Sequence, residues 1–237
     1  MTSKARLFTR EKARPVLRIT LFAAATLLAA ALVVMVLGGY NISLAASKTF
    51  IVNSADDVDD GSCNPQHCSL REAINQSNTN GGADFIHFDI AGTTPYTISV
   101  TTNPLPIIID PVTIDGTSEP DYVDAPIVVL DGSGAPSGYA GLHITSGSTT
   151  VTGLVIHSFI PYGILIESAG GNTIEGNFIG TDASGTIAQG NSGAGIFIDR
   201  TSNNTIGGTL GTTPGGPCTG ACNLISGNAG LGVAIQG

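Results

Sequence analysis

Gly163-Ile164-Leu165-Ile166-Glu167 returns 32 residues later as Gly195-Ile196-Phe197-Ile198-Asp199. Nine residues after each opening glycine stands Asn-Thr-Ile-x-Gly, first Asn172 to Gly176 and then Asn204 to Gly208, and 7 of the 14 aligned positions are identical. A motif that returns in register marks stacked structural units, because one unit of this size cannot bury its own apolar face.

Four copies of the opening strand are legible, at Gly141, Gly163, Gly195 and Gly232, spaced 22, 32 and 37 residues apart. Second half-units follow at Val151 to Gly153, Ile174 to Gly176 and Ile206 to Gly208, with further pieces at Leu154 to Ile156, Asn177 to Ile179 and Ile225 to Asn228. The shortest spacing is the bare unit. The longer ones carry breaker-rich insertions, Thr181 to Ser192 and Thr209 to Ala221, which belong in loops outside the stack. Every piece is short and alternates with period two, the pattern of strands. Glycine, Asn, Ser and Thr between them supply turn residues, and 25 of the 32 glycines lie from Gly132 onward, where the repeat is clearest. A propeller or sandwich of antiparallel hairpins would call for longer strands and aromatic signatures, whereas this chain has no Trp. The expected fold is therefore all-β, a parallel β-helix.

Asn172 to Asp182 followed by Gly-Ile-Phe-Ile resembles the repeats of secreted bacterial right-handed parallel β-helix proteins of the pectate-lyase-like superfold. Cys68-Ser69-Leu70-Arg71-Glu72-Ala73 resembles the Cys-Ser-Leu-Arg-Glu-Ala motif found at the start of such helices. Together the two cover residues 49 to 237. The resemblance implies a right-handed coil, and the bare unit of about 22 residues over the mature chain gives roughly 6 to 8 coils. It implies no activity by itself.

Six basic side chains and one acid occupy residues 1–18, Ile19 to Leu37 is uncharged for 19 residues, and Ser43-Leu44-Ala45 follows. That order is a secretory leader, long enough to serve also as an uncleaved anchor. Both readings place the remainder outside the cytoplasm, secreted or at the cell surface. From Ala46 onward 17 acids face only Lys48, Arg71 and Arg200, a net charge of −14. Such a body lacks the cations that nucleic acid requires. The four cysteines form two close pairs, Cys63/Cys68 and Cys218/Cys222, which in an exported chain read as local disulfides. The rival reading is a metal site that includes His67. Ser69 to Glu72 matches a helix capping box, so a short helix ending near Asn78 is expected as the α-helical lid on the first coil. Adjacent Arg71 and Glu72 read as a solvated local pair. The organisation expected is a leader over 1–45, a cap over 46–80 and coils over 81–237. The last copy, Gly232 to Gly237, stops partway through a coil, which reads as a piece of a longer β-helix.

Alternation puts Leu142/Ile144, Ile164/Ile166 and Ile196/Ile198 inside and stacks His143, Leu165, Phe197 and Ala234 outside. That outer strip is a candidate ligand-binding surface for an extracellular glycan or a cell-surface protein, unless the inserted loops fold over it. Glu167 and Asp199 share a repeat position, and Arg200 follows directly, so these three are the candidate catalytic residues. The plain alternative is an exposed carboxylate pair screened by Arg200. Asp56, Asp57, Asp59 and Asp60 form an acidic run in which calcium can be imagined, but they miss the alternating spacing of a calcium loop; no cofactor is otherwise indicated. Asn172, Asn177, Asn204 and Asn228 are expected to stack as turn ladders. Polygalacturonase-like elements (Asn-Thr-Asp, Gly-His-Gly, Arg-Ile-Lys) are absent as a set, and a lyase would need a cationic base that only Arg71 or Arg200 can supply. The expected role is a binding or structural module of adhesin-like or glycan-contacting type, with a polysaccharide lyase or glycoside hydrolase as the alternative.

Overall fold

The computed structural model describes residues 46–212 and 218–237. The leader, including Ile19 to Leu37 and the small-x-small stretch Ser43-Leu44-Ala45 at which it would be cleaved, lies outside the described residues. Among the described residues no helix is long and apolar enough to cross a membrane.

Fifteen short strands and one α-helix follow β1 (Thr49–Val52), α1 (Leu70–Asn80), β2 (Asp84–Phe88), β3 (Tyr96–Ser99), β4 (Val112–Asp115), β5 (Val128–Asp131), β6 (Leu142–Ile144), β7 (Thr150–Thr152), β8 (Leu154–His157), β9 (Ile164–Glu167), β10 (Thr173–Glu175), β11 (Phe178–Ile179), β12 (Ile196–Asp199), β13 (Thr205–Ile206), β14 (Leu224–Ile225) and β15 (Val233–Gln236). They form three sheets: A, in the order β1-β2-β4-β7-β10-β13; B, β3-β5-β8-β11-β14; and C, β6-β9-β12-β15. Every pairing is parallel, and the chain visits A, B and C in rotation. This is a parallel β-helix. Among the described residues β1 is followed by five coils. The expected 6 to 8 is too high because insertions lengthen most coils beyond the bare unit.

The repeat spacing is the register. Leu142 pairs with Ile164, Ile164 with Ile196, and Ile196 with Val233. The half-units align as read, with Ile174 between Val151 and Ile206, and Phe178 between Val155 and Leu224. The inner residues of successive rungs, among them Ile114, Leu130, Ile144, Leu154, Ile166 and Ile174, are fully buried in one continuous core. The first coil is irregular, since its sheet C rung is only a bridge between Ile108 and Ile144. Ile114 to Thr117 and Leu130 to Ser133, which echo each other in sequence, belong to one coil rather than two. Each ends its strand in an aspartate turn, with Asp115 accepting from Thr117 N–H and Asp131 from Ser133 N–H, both at 2.9 Å.

From β7 to β8 and from β10 to β11 the passage from A to B takes only one or two residues, and Gly153 and Gly176 make it with φ of +71° and +67°. A Cβ on Gly153 would also stand 2.6 Å from Thr117 N, so glycine is required for both conformation and space.

The corners carry three asparagine ladders. Asn172 donates to Asn204 Oδ1 at 3.1 Å, Asn177 to Asn223 Oδ1 at 3.3 Å, and Asn191 to Asn228 Oδ1 at 2.8 Å. In turn, Asn172, Asn177 and Asn191 accept from the backbone N–H of Thr149, Leu154 and Phe159 one rung below. All three are fully buried. The expected ladders exist, and they include Asn191 and Asn223, which the repeat reading passed over.

At the N-terminal end, α1 starts at the expected capping box: Glu72 N–H donates to Ser69 Oγ, and Ser69 N–H donates to Glu72 Oε2 at 2.8 Å. Leu70, Ala73 and Ile74 are buried in the same core as the coils. The helix runs two residues past the expected end, to Asn80. Asn78 completes the irregular first coil, donating to Ile107 O at 2.7 Å and accepting from Ile109 N–H at 2.9 Å. Both expected disulfides are present, Cys63–Cys68 and Cys218–Cys222, which excludes these thiols as metal ligands and fits an oxidising compartment. The Arg71/Glu72 expectation fails. Arg71 is 9% exposed and does not pair with Glu72. It makes a two-point bond to Asp57 (2.9 and 2.8 Å) and donates to the carbonyls of Asn103 and Pro104. A guanidinium is the side chain able to hold a carboxylate and two carbonyls at once.

Two outcomes follow. Asn177→Ala leaves Leu154 N–H without its acceptor inside the stack and should cost about 1–3 kcal/mol in denaturant unfolding. Arg71→Ala strands a buried carboxylate and should cost about 3–5 kcal/mol, with Arg71→Lys recovering only part of it because one ammonium cannot reach all of these acceptors.

Candidate functional site

The outer face of sheet C gathers the residues singled out in sequence. His143, Leu165, Phe197 and Ala234 stand in one column on successive rungs. All four are half-buried. Tyr162, on the loop entering β9, lies flat on Phe197 with ring centroids 4.6 Å apart and planes 6° from parallel. That stack, with Leu165 on the rung below Phe197, forms an apolar ledge. Loops close over sheet B instead, where Ala125, Ala183 and Cys218 pack on outward Val129, Val155 and Phe178 and Leu224 of β14 continues that column.

Glu167 and Asp199 are register partners on adjacent rungs, as expected. Each has its own partner. His143 Nε2 lies 2.8 Å from Glu167 Oε1. Arg200, in a left-handed conformation at φ +49°, turns back on Asp199 with two bonds of 3.0 and 2.7 Å. Arg200 remains largely in solvent, its side chain 72% exposed, whereas that of Asp199 is 13% exposed. The ledge is thus flanked by two polar pairs, His143–Glu167 and Asp199–Arg200. The His143–Glu167 contact was not visible in sequence. Its signal is the 24-residue separation, one bare coil plus two residues, which puts the two diagonally across neighbouring strands.

The acidic run disperses. Asp56 accepts from Ser54 Oγ and Val58 N–H and lies 3.0 Å from His67 Nε2. Asp57 holds Arg71. Asp59 accepts from Gly61 N–H and Asn75. Asp60 accepts from Ser62 N–H. Asp57 and Asp59 thus turn to separate partners, whereas Asp56 and Asp60 both face His67.

A second concavity, absent from the sequence reading, lies on sheet B. It is a cleft of about 490 Å³ whose polar lining includes Thr97, Asp131, His157, Asp182 and Gln189. Asp131 and His157 are register partners, with Nδ1 3.5 Å from Asp131 Oδ1. The insertion Thr181 to Ser192 brings in Asp182, whose carboxylate accepts from Ser184 Oγ and from the N–H groups of Thr186 and Ile187. Those backbone and hydroxyl donors hold Asp182 below its ordinary range. Burial pushes the His157 imidazole below its ordinary value of 6.5, against the opposing pull of Asp131 and Asp182. His157 is therefore a neutral imidazole at neutral pH beside two carboxylates, a set able to take up or hand on a proton.

Compared with protein-family models, with curated proteins and with solved structures, the chain matches none.

The depressed His157 value fixes the sign of a pH effect. The unfolded chain takes up this proton first, so the contribution of His157 to stability is whole above about pH 6.5 and is lost as the pH falls from there through the folded value. Unfolding free energies measured from roughly pH 7.5 down to 5 should therefore decline more steeply for the native chain than for His157→Gln. Parallel curves would place the imidazole in water.

Proposed function

We propose that this chain is an exported binding module whose contact surface is the outer face of sheet C, and that it takes extracellular glycan there. The observation that carries the reading is the ledge of Tyr162, Phe197 and Leu165 on a rigid sheet, flanked by the polar pairs His143–Glu167 and Asp199–Arg200. Flat aromatic and aliphatic surface beside fixed hydrogen-bonding groups is the arrangement that accepts a sugar ring, apolar face down and hydroxyls outward. The rungs are held by backbone ladders, so the surface is preformed and little ordering opposes binding. The net charge of −14 over residues 46–237 favours uncharged glycans over polyuronates. A cell-surface protein is the other partner class this face suits. Export is supported by the leader and by the two disulfides.

Turnover by a polysaccharide lyase or glycoside hydrolase has one observation in its favour, the placement of Glu167 and Asp199 on adjacent rungs. Against it, each carboxylate is engaged with its own partner, and the only cation at this face, among the described residues, is Arg200, itself bonded to Asp199.

On a glycan array the native chain should retain particular neutral glycans, and Phe197→Ala and Tyr162→Ala should each lower retention roughly tenfold, the scale of one lost stacking contact. The enzymatic alternative predicts release of reducing ends or unsaturated products from oligogalacturonides or other acidic glycans, abolished in Glu167→Ala with Asp199→Ala. Product formation sensitive to those two substitutions would displace the binding reading. An array with no retention, or retention indifferent to Phe197 and Tyr162, would remove sheet C as the contact face.

A further inference from the structure

The N-terminal cap contains a set of groups that the fold alone does not require. His67 is anchored through its far nitrogen: Nε2 lies 3.0 and 3.2 Å from the two oxygens of Asp56. With Nε2 turned to that carboxylate, Nδ1 is the ring nitrogen left to face the start of α1. Nδ1 is buried and has no hydrogen-bond partner. It faces two carboxylate oxygens, Glu72 Oε2 at 3.1 Å and Asp60 Oδ2 at 3.6 Å. The Glu72 side chain is 1% exposed. Three potential ligand atoms thus converge, one from each side chain, and all lie within 4.8 Å of one another.

We infer that Asp60 Oδ2, His67 Nδ1 and Glu72 Oε2 form a binding site for a divalent transition-metal ion of the zinc class. Three features support this site. Ligands bound to zinc at about 2.0–2.2 Å with tetrahedral angles stand roughly 3.3 Å apart, and the two imidazole-to-carboxylate distances bracket that value. One imidazole with two carboxylates suits zinc better than calcium, which takes six or more oxygens and no nitrogen. The Asp56 contact is the outer carboxylate that commonly orients a metal-bound imidazole and fixes its tautomer. Water would complete the coordination.

The surroundings hold these groups in place before any ion arrives. Cys63–Cys68 closes the loop that carries His67. Glu72 Oε2 is held by Ser69 N–H in the capping box, and Glu72 Oε1 accepts from Asp60 N–H at 2.8 Å. The amino end of a helix opposes a cation, but Asp56, Asp60 and Glu72 together bring three negative charges to it. A bound ion would fasten the acidic loop to the first turn of α1 and so to the lid of the stack. The thiols take no part, since both are in the disulfide.

The test uses the untagged full chain, stripped with chelator and studied at about pH 7.5, where protons compete less with a metal than at acidic pH. Zn²⁺ is titrated in competition with a chromogenic chelator, and the thermal midpoint is followed with and without Zn²⁺. The expected result is one saturable equivalent, a higher midpoint with Zn²⁺, and no comparable effect of Ca²⁺. Asp60→Asn and His67→Gln should each weaken Zn²⁺ binding at least tenfold, and Asp124→Asn, on an exposed loop elsewhere, should leave it unchanged. Co²⁺ should give a visible absorption band of tetrahedral type that His67→Gln removes. If His67→Gln fails to fold, Asp60→Asn decides, because Asp60 is exposed and outside the proposed site its side chain meets only the neighbouring Ser62. Absence of saturable Zn²⁺ binding, preference for Ca²⁺, or binding equally strong in both variants would overturn the site.

Discussion

Each corner of the coil turns backbone N–H and C=O groups into a dry interior, and those groups must be paired. The asparagine carboxamides do this. Each accepts from a backbone N–H on the rung below, and Asn172, Asn177 and Asn191 also donate to the stacked asparagine above and to nearby carbonyls. An unpaired buried amide costs about 1–3 kcal/mol, and a five-coil stack has many corners. The ladders therefore decide which residues can turn the chain. By fixing the turns they also fix the register of three sheets, and the register in turn places every outward side chain. The apolar ledge on sheet C, the adjacent carboxylates and the Asp131–His157 pair all follow from which rung a residue occupies.

The same constraint explains why insertions are harmless. Thr181 to Ser192 leaves the coil between B and C, and Asn191 re-enters it at the ladder position above Phe159. What happens in between is free to vary, and here it builds one wall of the sheet B cleft. Functional surface is thus added without disturbing the interior, the general logic of loops carried on a rigid scaffold.

What was legible in sequence tracks what is periodic. The inward Ile and Leu columns, the outward strip from His143 to Ala234, and the Glu167/Asp199 juxtaposition all follow from period two combined with a fixed unit. Four ladder asparagines were found because they sit inside the repeated Asn-Thr-Ile block or its remnants. Asn191 had a signal too, since Asn191-Ser192-Gly193-Ala194-Gly195 matches Asn228-Ala229-Gly230-Leu231-Gly232 at 37 residues. The cap was legible only as a helix. Its fastening by Asp57 and the carbonyls of Asn103 and Pro104 onto Arg71 joins segments with no common period. The cleft was hidden for the same reason, because an insertion folding over sheet B leaves no repeat to read. The disulfides followed from spacing and compartment, while the convergence of His67 with Asp60 and Glu72 depended on how that loop folds over α1.

The most direct measurement is of the register itself, on outward positions where substitution does not disturb the core. Thr150 pairs with Thr173 on the next rung, and Thr173 with Thr205 on the one after. Neighbouring parallel strands lie about 4.8 Å apart, within the Cα separation of roughly 4.4–6.8 Å that a disulfide spans. Thr150→Cys with Thr173→Cys should cross-link under mild oxidation, and Thr150→Cys with Thr205→Cys, two rungs apart, should not. Cross-linking of the second pair, or failure of the first in a folded chain, would contradict the stacking on which the ledge, the ladders and the lid all depend.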